Sequence, residues 1–84
     1  MSLAEIKELN GALIEKINKE ALANPQSPYA GKWVGVANGE VVAVADTMKV
    51  ALRELRQIEP DPARRRIIEA SRDYSVVEYV WETR

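Results

Sequence analysis

The sequence contains no cysteine, no histidine and no phenylalanine. Without cysteine there is no disulfide, no thiolate nucleophile and no thiolate metal ligand. Without histidine the usual imidazole acid-base group and zinc ligand are missing too. A chain of 84 residues buries a modest share of its surface, and chains of this size lean on disulfides, metals or association for stability. Of these devices, self-association stays open. The net charge of -1 supplies no field of one sign to steer the chain to nucleic acid or anionic lipid. No apolar run approaches the ~20 residues of a membrane span. The opening MSLAEIKELN is acidic and amphipathic, unlike the basic flank and apolar centre of a secretion signal. The expectation is a cytoplasmic protein with a single domain over residues 1–84.

What is present centres on WVGVANGEVVAVAD, residues 33–46. Asn38-Gly39 suits the two positive φ angles of a type I′ turn, so the two apolar runs read as a β-hairpin. A two-residue loop sets the register. It predicts Ala37 opposite Glu40, Val36 opposite Val41, Gly35 opposite Val42, Val34 opposite Ala43 and Trp33 opposite Val44. One face then carries Val34, Val36, Val41, Ala43 and Ala45. The other carries Trp33, Gly35, Ala37, Val42 and Val44, with Glu40 at its end. A hairpin with one wet face shows polar residues there, and this one does not. Both faces need a cover.

Helices flank the hairpin. Residues 2–23 repeat Leu3, Ile6, Leu9/Asn10, Leu13, Ile17 and Ala21 at helical spacing, widened by Ile14 and Leu22. Ser2 and Glu5 form a capping-box pair at its start, and Glu15 with Lys19 adds an i,i+4 pair. Gly11 reads as a tolerated flaw in this helix. Asn24-Pro25 ends it, and NPQSPYAG (24–31) is the linker. Asp46 reads as the N-cap of a second helix, 47–58, with Met48, Ala51, Leu52, Leu55 and Ile58 as its apolar stripe. Glu59-Pro60-Asp61-Pro62 stops it. Residues 65–70 read as a third strand and 71–73 as a turn. Residues 74–81, YSVVEYVW, carry two readings: a fourth strand with Val77, Tyr79 and Trp81 on one side, or a helix started by Ser75-x-x-Glu78. β-Branched and aromatic content selects the strand.

Gly31-Lys32-Trp33-Val34, then Asn38-Gly39-Glu40-Val41-Val42-Ala43 and a helix starting at Asp46, resemble a family of short bacterial and archaeal domains of unknown function. That family is built on a GKWV…NGEVVA hairpin followed by a helix and a strand. The likeness covers residues 29 to about 70; the remainder is similar to cyanobacterial-type relatives. It implies a β-β-α-β core and a bacterial source. It carries no established activity, so no functional residues transfer.

Chemistry has little to stand on. Ser2, Ser27, Ser71 and Ser75 each serve as cap or turn residues, and a nucleophile would need a base that only lysine or a carboxylate could supply. Asp46, Glu69 and Asp73 are the available carboxylates for an acid-base pair, but Asp46 is needed at a cap and Glu69 points outward on a strand. Gly31, Gly35 and Gly39 have hairpin spacing and do not form a phosphate loop. Arg64-Arg65-Arg66 is the sharpest cationic cluster, with Lys49, Arg53, Arg56 and Arg72 as possible additions, but interleaved acids dilute it. Tyr29, Trp33, Tyr74, Tyr79 and Trp81 are the aromatic anchors available to core or interface.

The fold class expected is α+β, a single small domain in the order α-β-β-α-β-β with an antiparallel sheet packed by helices. The function expected is a non-catalytic protein-interaction or regulatory module, a homodimer, with no cofactor, no metal and no membrane. Interaction falls to Trp33, Val42, Val44, Tyr79 and Trp81. The alternative is a weak nucleic-acid binder using Arg64, Arg65 and Arg66. The helix at 47–58 is expected on the face with Val34, Val36, Val41 and Ala43. The cover of the second face, with Trp33, Val42 and Val44, is either the chain's own first helix or a second copy.

Overall fold

The computed structural model describes residues 1–73. The first helix, α1 (Leu3–Ala23), begins with the expected capping box: Glu5 N–H donates to Ser2 Oγ, and the Glu5 carboxylate accepts from Ser2 N–H. Its buried positions are Ile6, Asn10, Ile14, Ile17 and Ala21, spaced three and four apart as one helical face requires. Leu3, Leu9 and Leu22, counted in the same stripe by sequence, are exposed. Asn24 closes the helix and its side chain accepts from Gln26 N–H.

Strands β1 (Trp33–Ala37) and β2 (Glu40–Ala45) form the hairpin. Asn38 (φ 53°) and Gly39 (φ 80°) both adopt positive φ, as the type I′ turn demands. The register departs from expectation after the first two pairs. Ala37 faces Glu40 and Val36 faces Val41, but Gly35 then faces Ala43, Val34 faces Val44 and Trp33 faces Ala45. Val42 is the extra residue of a β-bulge. Turn chemistry sets only the pairs beside the loop, and a bulge exchanges faces beyond it. Ala43 and Ala45 therefore share a face with Gly35 and Trp33, while Val44 joins Val34.

The bulge makes sense against the second helix, α2 (Met48–Ile58). A Cβ placed on Gly35 would lie 3.2 Å from both Leu55 methyl groups and 3.3 Å from Ala43 Cβ. Helix and sheet meet here with no room for a larger residue, so a register that put Val42 opposite Gly35 would crowd the Leu55 contact. Thr47, not Asp46, is the N-cap: its Oγ1 accepts from Val50 N–H, and Asp46 pairs instead with Lys32. Threonine is also a favoured N-cap residue, and Lys32 at the entrance to β1 draws Asp46 away.

A one-turn 3-10 helix (Pro62–Arg64) leads into β3 (Arg65–Glu69). It pairs antiparallel with β1, Trp33 opposite Glu69 through Ala37 opposite Arg65. Among the described residues the sheet order is β2-β1-β3, so β1 is central and β2 is an edge. The order α-β-β-α-β is that of an α+β domain. The strand expected at 74–81 lies outside the described residues, with Tyr79 and Trp81.

The two helices cover opposite faces, and each takes the face assigned by sequence to the other. Ile14, Ile17 and Ala21 of α1 pack on Val34, Val36, Ile68 and Ala70, whereas α2 closes on Gly35 and Ala43. The reason is volume. The Gly35/Ala43 face has the smallest side chains and admits the close helix; the Val34/Val36 face keeps larger groups and takes the longer one. Two asparagines tie α1 across β3. Buried Asn10 donates to the Arg64 carbonyl (3.1 Å) and accepts from Gly39 N–H (2.7 Å). Eight residues on, Asn18 donates to the carbonyls of Ala70 and Arg72, both at 2.8 Å.

Candidate functional site

The interaction residues expected from sequence divide around β2. Trp33 and Val42 are half-buried, and Val44 is 41% exposed. The α1 helix lies mainly over β1, β3 and the Pro62–Arg64 turn. Val44, on the α1 side through its pairing with Val34, is therefore beyond its cover. Val41, nearer the turn, still packs against the α1 core. Met48, at the start of α2, is 48% exposed. The second greasy face is thus closed by the chain's own helix, and the apolar surface of the sheet left open is a corner at Val44, at the far end of β2. Trp33 sits on the α2 side, opposite Ala45 and Glu69. It is not part of that corner.

Among the described residues the two outer strands of the sheet differ in kind. On β3, Arg65, Arg66 and Glu69 place charge along the strand, a common guard against stray pairing. From 41 to 45, β2 has no charged side chain. Its guard is the bulge at Val42, which leaves 43–45 as a regular stretch.

Arg64, Arg65 and Arg66 do not converge. Arg64 pairs with Asp61 at 3.4 Å. The Arg65 guanidinium donates to the carbonyls of Glu59 (2.9 Å) and Pro60 (2.8 Å), closing off the end of α2. Arg66 is exposed on the α1 side, its guanidinium 3.8 Å from where a Gly11 Cβ would lie. Strand alternation sends Arg65 and Arg66 to opposite faces.

A different cationic group does line up. Lys49, Arg53 and Arg56 stand at i, i+4 and i+7 on the outer face of α2, around a shallow depression of about 440 Å³ with Leu52 and Gln57. All three are exposed, and among the described residues none joins an ion pair. Sequence reasoning placed these residues outward and treated them as possible additions to Arg64–Arg66. The i, i+4, i+7 spacing was the signal that marks them as a stripe of their own.

The polar groups considered for catalysis have structural partners. Ser2 caps α1, Ser27 Oγ accepts from Tyr29 N–H, and Ser71 Oγ accepts from Gly31 N–H. Ser75 lies outside the described residues. Asp46 pairs with Lys32. The Glu59 carboxylate accepts from Asn38 Nδ2 (2.8 Å) and from Asp61 N–H (3.2 Å). The Asn38 bond first, then the Asp61 bond, hold its pKa below the ordinary 4.5. Among the described residues, no group of three or more carboxylates is placed to hold a metal ion, and no helix is long and apolar enough to cross a membrane.

Comparison with curated proteins and with solved structures returns no match. A family model described as a family of unknown function (DUF5678) matches residues 26–62, the linker, the hairpin and α2, which is under half of the chain. The likeness to a short domain of unknown function holds at that level.

Proposed function

We propose that this chain is a non-catalytic protein-interaction module that forms a homodimer through β2, in a bacterial cytoplasm and in a regulatory or accessory role. The observation that carries the proposal is the uncharged edge of β2, unpaired among the described residues, beside exposed Val44. An edge strand presents unpaired backbone N–H and C=O groups that another strand satisfies. Two copies pairing antiparallel along 43–45 place Val44 opposite Val44 of the second copy, with Cβ atoms about 5 Å apart. The pairing covers the apolar corner that α1 leaves open. It also keeps Asp46 away from its own counterpart, since Asp46 then falls opposite Val42.

Sedimentation velocity over a concentration series tests this. The wild-type chain is expected to shift from monomer toward twice the monomer mass as concentration rises. Val44→Lys, which sets like charges directly opposite one another, is expected to stay monomeric with an unchanged circular dichroism spectrum. A wild-type monomer at every concentration would overturn the proposal. Trp33→Glu is the poorer probe, because half-buried Trp33 lies on the α2 side and its loss disturbs the fold.

A further inference from the structure

From the basic stripe on α2, we infer that its outer face binds the phosphate backbone of nucleic acid through Lys49, Arg53 and Arg56. The inference does not depend on the dimer. The three cations occupy one line along the helix, spanning seven residues and hence about 10 Å of helix axis. Among the described residues none is neutralised by an ion pair, so their charge is available to a ligand. The one acidic residue of α2, Glu54, is half-buried and off the stripe.

Two classes of polyanion could meet such a stripe, an acidic protein surface or a nucleic-acid strand. The surface itself decides between them. A protein partner gains most of its affinity from large apolar or aromatic anchors buried in pockets. Here the floor holds only half-buried Leu52 among the stems of cationic side chains, and the stripe carries no aromatic residue. A phosphate backbone needs no such pocket, because its affinity comes from cations that release bound counterions. Arginine suits this role through its planar fork of donors, which grips phosphate oxygens in pairs. Gln57 beside Arg53 and Arg56 adds a neutral hydrogen-bonding group for sugar or phosphate. With net charge -1 on the whole chain and three cations on this face, binding is weak, sequence-independent and steeply salt-dependent. Should the β2 dimer form, the two-fold axis normal to the sheet puts both α2 helices on the same face and doubles the stripe.

The test is fluorescence anisotropy with a fluorescein-labelled 20-nucleotide oligo-dT and a 20-base-pair duplex, in 50 and 200 mM salt. Three backbone contacts predict a fall in affinity on the order of twentyfold for the single strand between those salts. Arg53→Gln/Arg56→Gln, exposed changes checked by circular dichroism, is expected to remove most binding and flatten the salt response. Arg66→Ala is expected to leave it unchanged. Absence of salt-sensitive binding by the wild type overturns the inference. So does loss of binding in Arg66→Ala but not in the α2 variant, and so does equally tight binding of labelled poly-glutamate. Sedimentation of the same samples reports the dimer separately, so failure of one reading is not mistaken for failure of the other.

Discussion

Asn10 is 1% exposed, and its amide meets two backbone groups from distant parts of the chain. Arg64 carbonyl also accepts from Asn38 N–H, so loss of the Asn10 donor leaves it a partner. Gly39 N–H is the group at risk. Gly39 is half-buried, so losing this partner costs part of the roughly 1–3 kcal/mol of a fully buried donor, and the vacated volume of buried Asn10 adds to that. Asn10→Ala is expected to lower unfolding free energy in urea by about 2–3 kcal/mol, against about 1 kcal/mol or less for Asn18→Ala. Equal effects would show that the turn contact is not what matters. Glu59 gives the pH counterpart. Its folded-state pKa is depressed by Asn38 and Asp61, so the ionised form is the one that the native state favours. Its contribution is present above the ordinary carboxylate value of 4.5 and is lost as pH falls through the lower folded value. Urea midpoints of wild type and Glu59→Gln should therefore differ near neutral pH and converge in acid. Of these two residues, Asn10 was legible as a stripe position but not as a tie to the hairpin, because its partners lie 29 and 54 positions away.

Glycines show how the meaning of a residue depends on the element around it. Gly11 interrupts α1, and an added Cβ would meet only the tip of Arg66 at 3.8 Å, an ordinary contact with a flexible group. Gly11→Ala is expected to stabilise the chain by up to about 1 kcal/mol through helix propensity. Gly35 sits under α2, where an added Cβ would press on Leu55 and Ala43 and Leu55 is itself 1% exposed. Gly35→Ala is expected to cost about 1–3 kcal/mol as overpacking. Thermal or urea unfolding of the two variants should move in opposite directions. At this scale the sequence was informative about the helices and the hairpin, since caps, stops and the Asn38-Gly39 turn act within a few residues. It was less so at the N-cap of α2, where Thr47 takes the place expected of Asp46 because Asp46 pairs with Lys32.

Among the described residues the molecule is a sheet with a helix on each face, one charged edge and one uncharged edge. Single-chain burial of both hairpin faces removes the need for a partner over a full face and confines it to the β2 corner. Association there is expected to be modest, because the regular stretch beyond the bulge is short. Binding to the native state alone raises apparent stability with concentration. The melting temperature of the wild type should therefore climb as protein concentration rises, whereas that of Val44→Lys should stay level. A concentration-independent melting temperature in both would point away from the β2 dimer. Charge is distributed at this scale too: Arg64, Arg65 and Arg66 are adjacent in sequence yet scattered in space, while Lys49, Arg53 and Arg56 are separated in sequence yet aligned.

The α+β class, the capping box at Ser2, the positive-φ turn, the two helices and the third strand are legible in the chain alone, because each rests on interactions within a turn or a single strand period. The tertiary structure decided the bulge at Val42, the exchange of faces beyond it and the helix that covers each face. Those outcomes depend on how the volumes of Gly35, Ala43 and Leu55 fit together across the core. No local pattern in the chain encodes that fit.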